Sequence, residues 1–485
     1  MSQYNTHLTG IKYVSQAEYD ASPAEYRKSD TLYIVEGSSD FKMLLGAKPV
    51  KGSEASFNTI NGFSLMKNLT SVKIPDSVTS IGDYAFTSRQ YSSGDHEVMI
   101  NLTLVDIPDT VTSIGTAAFY GCSALPEIDL PSALTSIGQY AFASCKALTS
   151  VSVPSGVTVL PTYCFAYCTG LESVSAPAVT SIGNYAFTGC TGFTEFTVPY
   201  HVTNIGTYAF QNCTNMTEID MPDDVTSIGD YAFQGCSMLC LHEPDFDNPK
   251  SYVPLVLPSA LTNLGQYAFK GCTSLGDVTV PAGVTQLKNN LFEGCTALER
   301  VSATSITSIG NSVFSGCTSL KSFTIPENVT AVGQYAFKGC TSLYEMAFPS
   351  SVTTISSNTF EGCTTLTSVS ADGITSIGGN AFLNCTSLSS FTVPDGVTSI
   401  GNSAFKGCSA LANLTLNANL KTISSYAFQN CTALESVEIP ASVTSIANNA
   451  FSGCTNLTSI TVNKASGSIS GAPWGATNAT VTWTG

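Results

Sequence analysis

Residues 434–456 read LESVEIPASVTSIANNAFSGCTN, and nearly the same string recurs along the chain. One phenylalanine marks each copy. The sixteen phenylalanines are Phe86, Phe119, Phe142, Phe165, Phe187, Phe210, Phe233, Phe269, Phe292, Phe314, Phe337, Phe360, Phe382, Phe405, Phe428 and Phe451. Neighbouring copies are 22 or 23 residues apart, except for steps of 33 and 36 residues after Phe86 and Phe233. Self-similarity at this period predicts a solenoid of stacked coils.

The apolar positions within a copy are fixed. In the copy of Phe142, Val151 and Val153 alternate with serines and are followed by Pro154, which predicts a short strand that ends at the proline. The segment IGQYAF (137–142), which ends at the phenylalanine, predicts a tight helical or 3-10 turn. One copy cannot bury its apolar residues alone, so stacked copies must bury them as a continuous core.

The cysteines follow the same register. Fifteen of the 17 cysteines lie three residues after a phenylalanine, from Cys122 to Cys454, and only Cys164 and Cys240 lie elsewhere. A buried cysteine behaves as a small hydrophobic residue, so we expect a column of reduced core thiols. A disulfide framework is the alternative that the odd number of cysteines leaves open.

The stretches LTSIGQYAFASCKALTSVSVP (134–154) and VTSIGNSAFKGCSALANLTL (397–416) resemble the BspA-type leucine-rich repeats. The resemblance covers about residues 69–462. It implies a leucine-rich-repeat solenoid of short β-strands joined by turns, 3-10 segments or short helices. It also implies a role in surface adhesion and recognition, with no enzymatic activity.

The two ends depart from the repeat. In residues 1–50, TLYIVEG and FKMLLGAKPV predict two short strands of a small α+β or β module, which resembles N-terminal modules of phage tail and baseplate proteins. A plain N-terminal cap of the solenoid is the alternative. Residues 51–68 are interpreted as a transition and first cap. Residues 463–485, with Trp474 and Trp483, are interpreted as a C-terminal cap rather than a separate ligand site.

The two long steps mark insertions at 88–101 and 240–253. Both follow the phenylalanine turn, so we expect both to project from the same edge, where repeat proteins often bind ligands. The second insertion carries potential metal ligands, but their order matches neither zinc nor calcium motifs. These residues are Cys240, His242, Glu243, Asp245 and Asp247.

Motifs for catalysis are missing from the sequence. There is no nucleophile elbow, glycine-rich phosphate loop or Cys-x-x-Cys pair. The pairs Glu127/Asp129 and Glu218/Asp220 have the i, i+2 spacing of one exposed strand face, which favours a solvated acidic surface over acid–base chemistry. We therefore expect no enzyme, no cofactor and no metal site.

Tyrosine recurs two residues before the phenylalanine in six consecutive copies, whereas later copies mostly carry Asn or Ser there. Tyrosine combines apolar area with a polar tip, which suits recognition surfaces. A half-buried repeat position without a ligand is the plainer alternative. The candidate ligand-binding residues are these tyrosines and two insertion histidines: Tyr140, Tyr163, Tyr185, Tyr208, Tyr231, Tyr267, His96 and His242.

The formal net charge is −16, and all of it lies beyond residue 52, because residues 1–52 hold six basic and six acidic side chains. Such an acidic chain repels phosphate backbones, so nucleic acid is excluded as the expected partner. No signal peptide or membrane-inserted stretch is recognised in the sequence. The expected function is receptor recognition of a bacterial cell surface by a phage tail-associated, virion-borne protein.

Residues 1–50 would then contact other tail proteins, and a homotrimer is the assembly expected of a fibre, although no coiled-coil repeat is present. The alternative is a secreted or surface bacterial adhesin that binds a host protein or glycan. In either case the expected partner is a cell-surface protein or glycan.

The thiol column has a direct chemical test. If the column is reduced, titration of the unfolded, non-reduced protein should find all 17 cysteines as free thiols. Detection of only a few would indicate a disulfide framework instead.

Overall fold

The computed structural model describes residues 70–74, 76, 78–87, 100–240 and 254–485, together with the backbone of five strands between residues 10 and 60. The chain divides into two compact units, Met1–Pro222 and Asp223–Gly485. Both units contain stacked coils of a parallel-strand solenoid. The solenoid predicted from the repeat is therefore confirmed.

The N-terminal part of the first unit is a four-stranded sheet in the order β1-β2-β3-β4. Its strands are β1 (Gly10–Ser15), β2 (Thr31–Glu36), β3 (Phe41–Leu45) and β4 (Lys48–Pro49). β1 and β2 are parallel, whereas β2 and β3 are antiparallel with Leu32 opposite Leu45. The segments TLYIVEG and FKMLLGAKPV thus pair as strands, but FKMLLGAKPV holds two strands, β3 and β4, where one was predicted.

Coils of the first unit mostly carry one two-residue strand and one three-residue strand. These strands are β5 (Thr59–Ile60), β6 (Ser71–Lys73), β7 (Ser80–Ile81), β8 (Leu104–Asp106), β9 (Ser113–Ile114), β10 (Ser136–Ile137), β11 (Ser150–Ser152), β12 (Val159–Leu160), β13 (Ser173–Ser175), β14 (Ser181–Ile182), β15 (Glu195–Thr197), β16 (Asn204–Ile205) and β17 (Glu218–Asp220). Pairing is parallel between successive coils, for example Val151 with Val174.

The second unit repeats the arrangement. Its strands are β18 (Ser227–Ile228), β19 (Leu255–Val256), β20 (Asn263–Leu264), β21 (Asp277–Thr279), β22 (Gln286–Leu287), β23 (Arg300–Ser302), β24 (Ser308–Ile309), β25 (Ala331–Val332), β26 (Glu345–Ala347), β27 (Thr354–Ile355), β28 (Ser368–Ser370), β29 (Ser376–Ile377), β30 (Ser390–Thr392), β31 (Ser399–Ile400), β32 (Asn413–Thr415), β33 (Thr422–Ile423), β34 (Ser436–Ile439), β35 (Ser445–Ile446), β36 (Ser459–Val462) and β37 (Thr480–Trp483). The two-residue strands of five successive coils form one sheet, β27-β29-β31-β33-β35.

The tight turn around each phenylalanine is present, and it is not helical. Across the described ranges the ordered elements are strands and turns, without a helix. In the copy of Phe142, the residues two before and two after it, Tyr140 and Ser144, have φ of 58° and 62°. This left-handed backbone interrupts right-handed helical geometry, so the chain reverses through consecutive turns instead.

The phenylalanines form the centre of the core. All sixteen are fully buried, and neighbouring rings within each unit stack with centroids 4.7–5.9 Å apart. The backbone of each copy is tied to the next, since Phe142 N–H donates to Cys164 O at 2.9 Å. Each copy therefore depends on its neighbour for both packing and hydrogen bonding.

The cysteine column is confirmed, because all 17 cysteines are free and buried. Their thiols also have a partner that the sequence did not predict. The Cys340 Sγ–H donates to Phe314 O of the preceding copy at 3.1 Å, and twelve other ladder cysteines repeat this contact. Burial raises the pKa of Cys363 to about 12, so the thiol keeps the proton that it donates.

The two insertions leave the coil register intact. Phe86 stacks on Phe119 at 4.7 Å and Phe233 on Phe269 at 5.4 Å, although 33 and 36 residues separate the members of each pair. The long steps are therefore additions to an otherwise regular coil. Residues 88–99 and 241–253, including His96, His242 and most of the metal-ligand candidates, lie outside the described residues.

The Phe314→Ala substitution should lower the free energy of unfolding by about 3–5 kcal/mol, because it opens a cavity between two stacked rings. Hydrogen exchange should increase mainly in the adjacent coils, since coils contact only their neighbours. The exposed Thr324→Ala substitution in the same copy is the control. A uniform rise in exchange over the whole chain would contradict this local coupling.

Candidate functional site

The predicted tyrosines occupy a conformationally special position. The residue two before the phenylalanine has positive φ in all sixteen copies, with values of 52–65°. The described set is Tyr84, Ala117, Tyr140, Tyr163, Tyr185, Tyr208, Tyr231, Tyr267, Asn290, Ser312, Tyr335, Asn358, Asn380, Ser403, Tyr426 and Asn449. Asparagine tolerates this backbone, whereas a bulky side chain is strained in it. Tyrosine therefore needs a compensating interaction.

In the first unit the compensation is stacking. The rings of Tyr140, Tyr163, Tyr185 and Tyr208 form a column with successive centroids 4.5, 4.3 and 4.5 Å apart and nearly parallel planes. Each ring is half-buried. Within the column most ring faces contact another ring, so the edges and hydroxyl groups are what a partner can reach.

Two phenols of this column, those of Tyr140 and Tyr163, hold their protons more tightly than a free tyrosine does. Burial, with smaller contributions from the phenols of Tyr185, Tyr140 and Tyr167, raises the pKa of Tyr163 to about 12. Burial likewise raises the pKa of Tyr140. A protonated phenol can both donate and accept hydrogen bonds, so these two hydroxyl groups can serve a polar partner in either role.

The second unit has fewer ring contacts at this position. Tyr231 stacks on Tyr267 at 4.4 Å. Tyr335 has Ser312 and Asn358 as its neighbours in the column, and Lys338 Nζ lies 5.4 Å from its ring centroid. Of the eight predicted site residues, the structure thus places four in one column, two in a stacked pair and two outside the described residues.

A second special position was missed by the sequence reasoning. The residue two after the phenylalanine also has positive φ, in each of the fifteen copies from Gly121 to Gly453. Ten of these residues are Gly, three are Asn and one is Ser144, but one is Tyr167 with φ of 61°. Tyr167 is 52% exposed. The sequence feature that could have identified this position is a lone tyrosine where almost all other copies carry Gly or Asn.

The sheet face of the first unit is acidic. Glu195 and Glu218 are register partners on β15 and β17, and Asp220 follows on the same exposed face. None of these three has an ion-pair partner among the described residues. In the second unit, by contrast, Arg300 pairs with Asp277 and Lys321 with Glu299.

The other predicted carboxylate pair, Glu127 and Asp129, lies on an open part of the surface. Glu127 and Asp129 line an open depression of about 420 Å³ together with serines such as Ser150 and Ser152. Both carboxylates are exposed, as expected for a solvated strand face. In the ranges that the structure describes, no group of three His, Cys, Asp or Glu side chains could hold a metal ion. These ranges also hold no helix long and apolar enough to cross a bilayer.

Comparisons with known proteins find the same leucine-rich repeat in a family model and in solved structures. The model of the BspA type leucine-rich repeat region matches residues 56–94, 96–178, 171–243, 241–367 and 368–476. A leucine-rich repeat protein from Bacteroides ovatus is 25% identical, with a TM-score of 0.63, over 94% of this chain and 98% of its own. A leucine rich cell surface protein from Faecalibacterium prausnitzii is 30% identical, with a TM-score of 0.44, over 74% of this chain and 87% of its own. A comparison with curated proteins found no match.

The stacked tyrosines and an isolated one should respond differently to the same substitution. Tyr185→Asn should lower the free energy of unfolding by about 1–2 kcal/mol, because the loss of two ring contacts outweighs the relief of backbone strain. Tyr335→Asn should change it by less than about 0.5 kcal/mol, since one cation–π contact is lost and the same strain is relieved. Equal effects in denaturant unfolding would show that stacking does not stabilise the column.

Proposed function

We propose that this chain, which belongs to the BspA-type leucine-rich-repeat family, is a non-catalytic adhesion protein that binds a cell-surface protein or glycan. Leucine-rich-repeat proteins generally act as binding scaffolds, and no feature of the described residues indicates an enzyme. Adhesion at a cell surface is the role that this family membership supports.

The observation that carries the proposal is the contrast between core and surface. The Phe column is invariant through sixteen copies, whereas the position two residues earlier, which is half-buried in most copies, changes between Tyr, Asn, Ser and Ala. A rigid scaffold allows surface residues to vary without loss of the fold, so such residues can carry specificity. This division of roles is typical of a binding protein.

We assign binding to the turn edge of the first unit, which we define by Tyr140, Tyr163, Tyr185 and Tyr208. Tyrosine is enriched in the energetically dominant parts of interfaces and loses little conformational entropy on binding. The alternative is the acidic sheet face with Glu195, Glu218 and Asp220. We assign only a secondary role in binding to the remaining candidates, Tyr231, Tyr267, His96 and His242.

A more specific proposal concerns the attachment of the protein. Residues 1–50 resemble modules of phage tail proteins, and their four-stranded sheet is separate from the solenoid sheets. We propose that they join the solenoid to a phage tail, so that the particle recognises a bacterial surface. The competing proposal is a secreted or surface bacterial adhesin that binds a host protein or glycan. Immunogold labelling distinguishes them: label on virions supports the first, and label confined to cell envelopes supports the second.

The binding surface is tested with the full chain and cell-adhesion measurements. Replacement of Tyr163, Tyr185 and Tyr208 by Asn should weaken adhesion at least about tenfold, as loss of an interface hot spot does. The fold should persist, because Asn occupies the same position in other copies. Tyr335→Asn is the matched control in the second unit and should adhere normally.

A sheet-face variant completes this test. Glu195→Gln, Glu218→Gln and Asp220→Asn together should leave adhesion unchanged while they remove three exposed charges. If this variant loses adhesion and the tyrosine variant retains it, the sheet face is the binding surface. If the folded parent adheres to neither bacterial nor host cells, the adhesion function is wrong.

A further inference from the structure

Tyr167 is held at a conformational cost that its own burial does not offset. Its φ of 61° lies in the left-handed region, and every other residue of its column, from Gly121 to Gly453, is Gly, Asn or Ser. A bulky side chain is an outlier there. Yet the residue is 52% exposed, so hydrophobic burial contributes little to its stability. Outliers of this kind cluster at ligand sites, where the backbone strain serves a function.

The neighbouring copy makes room for the ring. A Cβ at Gly189 would lie 2.7 Å from Cδ1 and 3.1 Å from Cε1 of Tyr167, so the ring rests on this glycine. Tyr167 N–H donates to Thr188 O at 2.7 Å, which fixes its backbone. One side of the ring is thus supported by the protein, and the exposed side is available to a ligand.

The surroundings of Tyr167 are neutral and polar. Ser144 and Asn212 lie in the same column, and Thr169 and Thr191 follow two residues later in successive copies. The only lysine between residues 100 and 222 is Lys146, in the preceding copy. The eight carboxylates in this range lie outside the segments from two residues before to five residues after each phenylalanine.

This chemistry suits a sugar ring. The face of an aromatic ring carries partial negative charge, which attracts the polarised C–H groups on the flat side of a saccharide. Hydroxyl and amide side chains can hydrogen-bond the sugar hydroxyls. A cationic peptide would find no carboxylate beside the ring, and a polyanion would be repelled by the net negative chain.

We propose that Tyr167 is the centre of a saccharide-binding site on the turn edge of the first unit, with a sugar ring laid on its exposed face. This inference rests on the proposed adhesion function and names the ligand class. Successive coils repeat at about 4.8 Å, so similar polar groups recur along the edge and favour an oligosaccharide over a monosaccharide.

The probes are cellohexaose, chitohexaose and maltohexaose, titrated into the full chain by isothermal calorimetry. The parent should bind at least one of them, and Tyr167→Gly should weaken that binding at least about tenfold. Tyr167→Phe should retain it within about threefold, because the ring face and not the hydroxyl makes the contact. Tyr200→Ser, at a 71% exposed tyrosine of the same unit outside the column, should bind as the parent does.

The glycine variant also separates a binding role from a structural one. Tyr167→Gly restores the commonest residue of the column, so its thermal unfolding midpoint should be unchanged or higher. A lower midpoint with unchanged sugar binding would make Tyr167 a structural residue and overturn the proposal. Binding of none of the three probes would also overturn it.

A cell-adhesion measurement distinguishes failure of the saccharide-site proposal from failure of the proposed adhesion function. If the parent adheres to cells and Tyr167→Gly adheres equally well, adhesion stands while the saccharide site is wrong. If Tyr167→Gly loses adhesion to a purified, unglycosylated protein, the position is an interface but the ligand is not a saccharide, which contradicts this inference.

Discussion

Two left-handed residues beside each buried phenylalanine from Phe119 to Phe451 are the constraint on which the coils depend. They reverse the chain within a few residues, as at Tyr140 and Ser144 around Phe142. This reversal points the ring into the core and leaves backbone groups along the axis free to bond with the next copy, as Phe142 N–H does with Cys164 O. The thiol of Cys145, three residues after Phe142, donates to the carbonyl of Phe119 in the preceding copy, so this buried carbonyl gains a second polar contact.

Because these requirements are met inside the coil, the surface is free to differ between copies. The first unit carries a column of four stacked tyrosines and an acidic sheet face. The second has one stacked tyrosine pair, isolated tyrosines such as Tyr335, and paired charges such as Lys338 and Glu361. The underlying phenylalanine stacking is the same in both. Function therefore depends on which side chains the turns and strands display, as expected of a binding scaffold.

The repeat period predicted the solenoid, the short strands and the reduced thiols, because these follow from apolar spacing alone. It did not predict the left-handed backbone, since tyrosine is not a residue that signals it, and the Gly and Asn two residues after each phenylalanine were not read as conformational markers. Tyr167 was missed for the same reason. The tyrosines were predicted only as candidate ligand-binding residues, and the stacking of their rings is visible only in three dimensions. The insertions have no counterpart in other copies, so the repeat could not predict their structure. The boundaries at 50, 68 and 462 remain predictions.

The most direct test of the left-handed turn is the sign of one stability change. A Cβ at Gly316, where φ is 76°, would meet its nearest neighbour, Gly294 Cα, at an ordinary 3.6 Å, so Gly316→Ala probes the backbone and not the space. In a right-handed backbone Gly→Ala stabilises a protein by about 0.4–1 kcal/mol, whereas a left-handed position costs about 1–2 kcal/mol. Denaturant unfolding of Gly316→Ala should therefore show a loss of stability, with Ser315→Ala as the neighbouring control. A gain in stability would contradict the account of how the coils close.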